Sequence, residues 1–100
     1  MDETWWASRV PALAPYAVLL GQLVEGRMSP EEFEVVFLPL YKHDATVWPP
    51  KIFEALDCFF GDVDDFCADP ALRAVVGGID ESELRARAVK TLAWLAELAS

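Results

Sequence analysis

The chain reads as an all-α protein, a compact antiparallel four-helix bundle in a single domain over residues 1–100. Three observations predict this. Apolar residues recur at helical spacing in four separate segments, proline and glycine fall at intervals that cut the chain between those segments, and strand-like alternation is nowhere sustained. Short connections between helices bring neighbours together antiparallel.

The first segment runs from about Pro15 to Glu25. Tyr16, Leu19, Leu20, Leu23 and Val24 supply the i, i+3, i+4, i+7, i+8 stripe and Gly26 the stop, while Pro11 and Pro15 make the entry irregular. The second begins with Ser29, Pro30, Glu31 and Glu32, a capping box with proline at the first helical position. Phe33, Val36, Phe37 and Leu40 continue its apolar face. Pro39 removes the bond to the carbonyl of Val35, which predicts a kink or an early stop. The third follows "WPP", with Pro50 near the first helical position, and extends to about Cys67. The stretch 68–79 holds one short turn begun by Asp69 and Pro70 and ended by Gly77 and Gly78. The last segment opens at Asp80, with Glu83 three residues later, and carries Leu84, Ala88, Leu92, Leu95 and Ala99 on one side.

Composition narrows the function. One hundred residues build one core, so a site must sit on the surface or in a shallow groove. An apolar content of 54% excludes general disorder, which places a formal charge of −9 on the outside of a folded body. Such a surface repels nucleic acid and anionic membranes and attracts basic partners. The apolar stretches 10–20 and 33–41 are too short to span a bilayer, and the acidic start "MDET" is unlike a signal peptide. Together with only two cysteines, this predicts a cytoplasmic protein.

The charge is concentrated in "DCFFGDVDDFCADP", residues 57–70. Six of the seventeen carboxylates lie between 54 and 69, and no Lys or Arg occurs from 52 to 72. Projected on a helix, Ile52, Phe53, Leu56, Phe59, Phe60, Val63, Phe66 and Cys67 share one arc, and Glu54, Asp57, Asp62, Asp64 and Asp65 share the opposite one. Cys58 lies in the polar arc, about 13 Å along the axis from Cys67, too far for a disulfide. Most charged helix faces serve solubility alone, and such faces usually mix signs, as the last helix does with Arg85, Arg87 and Lys90 after Glu81 and Glu83. The acidic helix has no such compensation, and its like charges near a helix C-terminus cost stability. A face that costs stability is a candidate for partner binding. Asp69 and Asp80 are set aside as N-caps.

Other chemistries fit less well. Counted from Asp62, a calcium loop would need Gly where Cys67 stands and Glu where Arg73 stands. His43, Cys58 and Cys67 lack zinc spacing, a Cys58 and His43 pair has no local signature of a nucleophile, and there is no Gly-rich phosphate loop. No enzyme, metal or other cofactor is expected. Trp94 sits beside an apolar face as a core residue, whereas Trp5, Trp6 and Trp48 could be either core or contact.

Three stretches together carry a family resemblance: "EGRMSPEEFEVVFLPLYK", "WPPKIFEALDCFFGDVDDFCADPALR" and "GIDESELRARAVKTLAWL". In order and in helix entries they resemble the successive helices of the colicin D immunity protein family, the bacterial self-protective colicin-like immunity proteins, over roughly residues 14 to 98. The resemblance implies a small helical inhibitor that covers the basic substrate cleft of a tRNA-cleaving nuclease toxin with an acidic surface standing in for RNA phosphates. By position it places that role on Glu54, Asp57, Asp62, Asp64 and Asp65, with Asp44 and Glu34 as flank and His43 and Tyr41 as polar contacts at the rim. The rival reading is a helical adapter that binds a protein through Trp5, Trp6 and Trp48, its acid face serving only solubility.

Overall fold

The computed structural model describes residues 10–99. A 3-10 turn at Pro11–Leu13 leads into helix α1 (Ala14–Val24), followed by α2 (Pro30–Lys42), α3 (Pro50–Asp64), α4 (Pro70–Val76) and α5 (Glu81–Ala99). Helices α1, α2, α3 and α5 form the bundle: α5 packs on α3 and α1, and α2 packs on the same two from the opposite side. Among the described residues there is no strand, only an isolated bridge between Phe66 and Ile79. The four-helix expectation holds, with α4 as a fifth, peripheral helix.

The helix ends follow local chemistry. At the end of α1, Gly26 takes φ 77°, so the Arg27 amide reaches back to the Gln22 carbonyl and the Gly26 amide to that of Leu23. Arg85, from α5, also donates to the Leu23 carbonyl and so places a cation at the negative end of α1. Helix α2 has the complete capping box, the Glu32 amide donating to Ser29 Oγ and the Ser29 amide to Glu32. Pro39 does not stop it, and the helix continues to Lys42. Pro39 and Val35 are both exposed, so the carbonyl the proline leaves unpaired lies on the solvent side.

The core is one cluster. Tyr16, Leu20 and Leu23 of α1, Phe33 and Phe37 of α2, Ile52, Leu56, Phe59 and Val63 of α3, and Leu84, Ala88 and Leu95 of α5 are buried. Phe33 stacks on Phe37 with ring centroids 5.2 Å apart, and Phe59 meets Phe37 edge to face at 5.4 Å. Trp48 and Trp94 are half-buried against this cluster, and Trp5 and Trp6 lie outside the described residues.

Two expectations for α3 are corrected. The helix ends at Asp64 and not near Cys67, because the Cys67 amide donates to the Ile79 carbonyl at 2.9 Å and the Ile79 amide to that of Asp65 at 3.0 Å. That pairing draws the chain out of the helix toward residues far along the sequence. It also demands glycine at position 78, where φ is 110° and a Cβ would stand 2.5 Å from the Asp65 carbonyl oxygen. The second correction is Phe53, which is 50% exposed and does not join the core. Val36 of α2 is likewise exposed, at 43%.

Helix α4 is capped by Asp69, which accepts from the Ala71 amide at 2.9 Å, and ends at Gly77. It buries none of its residues. Arg73 anchors it by donating to the Cys67 carbonyl at 2.7 Å, while its apolar Leu72, Val75 and Val76 face water.

Candidate functional site

Helix α3 presents Glu54, Asp57, Cys58, Gly61 and Asp64 to solvent, and its C-cap Asp65 is exposed beside them. At 100° per residue, Asp57 and Asp64 share one line nearest α2, Glu54 and Asp65 lie farther round, and Asp62 comes last, toward α5. The five acidic residues expected on one face therefore have different neighbours.

Asp62 is the exception to an uncompensated face. Its carboxylate accepts from Arg87 of α5 at 2.6 Å, and the same guanidinium pairs with Glu83 at 3.0 Å. These two carboxylates hold Arg87 more firmly protonated than usual. The counter-charge comes from twenty-five residues away, which is why a search along α3 misses it. Asp62 lines a groove of about 450 Å³ between α3 and α5 together with Cys58, Arg87, Lys90 and Trp94. Charges of both signs line that groove, so the purely acidic surface stops at Asp62.

On the other side the acidity deepens. Glu34 of α2 is held above the ordinary glutamate pKa, first by partial burial and then by repulsion from Asp64 of α3 and Glu31. Carboxylates from two helices thus face each other across the α2–α3 seam. No ion pair satisfies Glu54, Asp57, Asp64 or Asp65 among the described residues, and this like-charge repulsion falls when a cation approaches.

Asp44 and His43 stand beyond the end of α2. His43 is the exposed C-cap, its amide donating to the Pro39 carbonyl at 3.0 Å. Asp44 does structural work: it accepts from the buried Tyr16 hydroxyl at 2.5 Å and from the Thr46 amide and hydroxyl at 2.9 and 2.5 Å. Partial burial alone would raise its pKa, but these bonds, from Thr46 first and Tyr16 next, outweigh it and hold the carboxyl below its ordinary value. Burial first, and then the same contact with Asp44, raises the Tyr16 hydroxyl, so at neutral pH it is a hydrogen-bond donor. Tyr41 reaches Asp57 at 3.4 Å, and its hydroxyl is pushed up to about 12, mainly by burial and then by the Asp57 charge.

Between these groups the surface dips into a hollow of about 260 Å³ lined by Tyr41, Trp48, Phe53, Phe60, Asp44, Asp57 and Lys42. Sequence reasoning assigned Phe53 and Phe60 to the core, and the hollow was not anticipated. Its only advance signal is that both residues fall at the margin of the apolar arc of α3, beside the acidic one.

Cys58 is exposed, Cys67 is half-buried, and both are free thiols. Among the described residues no group of three or more His, Cys, Asp or Glu could hold a metal ion, and no helix is long and apolar enough to cross a membrane.

The family model for bacterial self-protective colicin-like immunity matches residues 12–95, which takes in α1 to α4 entirely and α5 as far as Leu95. No curated protein and no solved structure matches the chain. With the match covering most of the chain and reaching all four helices of the bundle, the chain belongs to the bacterial self-protective colicin-like immunity family.

Proposed function

We propose that this immunity protein is a non-enzymatic, cytoplasmic inhibitor that binds the nuclease domain of a cognate toxin, of the tRNA-cleaving type inhibited by colicin D immunity proteins, and masks its basic substrate cleft. The supporting observation is the exposed carboxylate surface of α3, where Glu54, Asp57 and Asp64 project from the helix and Asp65 from its C-cap, with no Lys or Arg between residues 52 and 72. A cleft built for a polyanion accepts a regular array of carboxylates for the same electrostatic reason that it accepts phosphates. Glu34 extends the array across the seam with α2, and His43 lies at the end of α2 beside it. Asp62 and Asp44 contribute chiefly by holding the frame, through Arg87 and through Tyr16. On this reading the protein needs no cofactor and binds no nucleic acid itself.

Reversing Asp57, Asp64 and Asp65 to Lys tests the assignment. All three are exposed, so the helical circular-dichroism signal persists. The expected result is loss of protection in cells producing the toxin, and full retained binding would sink the assignment. The rival adapter reading is separated by salt. Association driven by complementary charge slows steeply as ionic strength rises, whereas an adapter held by apolar contacts is nearly indifferent to it.

A further inference from the structure

The geometry points to the hollow between Tyr41, Trp48, Phe53 and Phe60, closed by Asp44 and Asp57, as a receptor for an arginine side chain donated by the protein partner. This inference rests on the reading of that partner as a basic toxin domain.

Size argues first. At about 260 Å³ the hollow falls below the range of about 300–1,000 Å³ typical of sites that enclose a small-molecule ligand, and it suits a single long side chain. Chemistry argues next. Four aromatic side chains line it, with Tyr41 and Phe60 5.3 Å apart between centroids, and ring faces attract cations. The molecule already shows this attraction internally: the Lys42 ammonium stands 5.8 Å from the Phe60 centroid.

Electrostatics selects the sign. The charged groups lining the hollow are Asp44, Asp57 and Lys42, a balance of one negative charge before anything enters. Both carboxylates are held in place from the protein side, Asp44 by Tyr16 and Thr46 and Asp57 by Tyr41. An ionised carboxylate has about four acceptor sites, so capacity for further donors remains on each. Lys42 forms no ion pair with either among the described residues.

Shape separates arginine from lysine. A guanidinium is flat, stacks on ring faces and offers several donors at once, whereas an ammonium is a compact, strongly hydrated point charge. Phe53 is the aromatic of the hollow that belongs least to the core, being 50% exposed, whereas Phe60 beside it is partly buried and packs against the core.

The test uses the full chain and N-acetyl-arginine amide as probe, followed by nuclear magnetic resonance of the aromatic side chains and by Trp48 signals. Lysine and neutral citrulline analogues serve as controls. Shifts confined to Tyr41, Trp48, Phe53 and Phe60, in the order arginine, lysine, citrulline, are expected. Phe53→Ala should weaken arginine binding about two- to five-fold, the ratio appropriate to one exposed cation–ring contact. Phe53→Tyr should restore it, and Lys42→Gln, which removes the internal competitor, should tighten it. Equal binding of the citrulline analogue, shifts scattered along the whole acidic face, or no response to Phe53→Ala would each overturn the inference.

With the nuclease domain of the cognate toxin, made catalytically inert, Phe53→Ala should raise the dissociation rate by the same factor. The association rate and its salt dependence should not change. An unchanged dissociation rate also overturns the inference. Because the titration uses no toxin, a chain that takes up the arginine probe in the hollow but holds no nuclease domain would overturn the functional reading above, and would leave an arginine site for a different protein.

Discussion

Removing the Asp62 carboxylate separates frame from face. In Asp62→Asn the 2.6 Å bridge to Arg87 is lost, while Glu83 remains at 3.0 Å to hold the guanidinium. A hydrogen bond to a charged group contributes about 1.5–3 kcal/mol, and a fully exposed ion pair about 0–1 kcal/mol. With side-chain exposures of 23% for Asp62 and 38% for Arg87, solvent screening and the second carboxylate pull the coupling toward the lower figure. About 1 kcal/mol is therefore expected, or a fall in Tm of about 4–8 °C for a domain of this size. The assay is a double-mutant cycle of Asp62→Asn, Arg87→Gln and the pair, read by urea unfolding. The same proteins are then measured for association with the toxin domain. Asp62→Asn should leave that rate nearly unchanged, whereas Asp64→Asn with Asp65→Asn, which relieves like-charge repulsion at the end of α3, should hold or slightly raise stability and slow association about tenfold or more at low salt. A coupling near zero, or an association defect in Asp62→Asn as large as that of the Asp64 and Asp65 pair, would refute the reasoning.

Three further outcomes follow from the geometry. Tyr16→Phe removes the buried hydroxyl that Asp44 accepts and should cost about 1.5–3 kcal/mol in thermal or chemical unfolding. Asp44 has a lowered folded-state pKa, so its stabilising contribution is present above the unfolded value of about 3.9 and fades as pH falls through the folded one. The acid side of the stability profile should accordingly flatten in Tyr16→Phe. Glu34 is shifted the other way, so its contribution is complete below about pH 4.3 and lost as pH rises through the folded value. Glu34→Gln should therefore raise Tm near neutral pH, with the difference from the native chain vanishing toward about pH 4, as scanning calorimetry would register. Finally, α4 buries no residue, and its amides should exchange with deuterium well before those of α3 and α5. Equal protection would show that α4 unfolds only with the bundle.

What could be read in advance was local. Ser29, Pro30 and Glu32 announce α2, Asp69 announces α4, and Asp80 accepts from the Glu83 amide at 2.8 Å at the start of α5, because a cap is made by residues within one turn. The core stripe of α3 was legible at Ile52, Leu56, Phe59 and Val63 for the same reason, since a period of 3.6 needs no knowledge of the neighbour. The misses are contacts across sequence distance. Ile79 ends α3, Arg87 neutralises Asp62, and Tyr16 occupies Asp44 from twenty-eight residues away. Phe53 shows the limit of projection: a residue at the margin of an apolar arc is buried only if a neighbouring helix reaches it.

The paired backbone bonds at Cys67 and Ile79 have an architectural consequence. They close the ends of the segment that carries α4, and Arg73 ties that segment to the Cys67 carbonyl near its own base. Because closure is already made at the neck, lengthening what lies between adds only a logarithmic entropy term, about 0.6 kcal/mol for each doubling of loop length. Residues 68–77 thus form a cassette on a fixed frame, where sequences can be exchanged beside Asp64 and Asp65 without rebuilding the bundle.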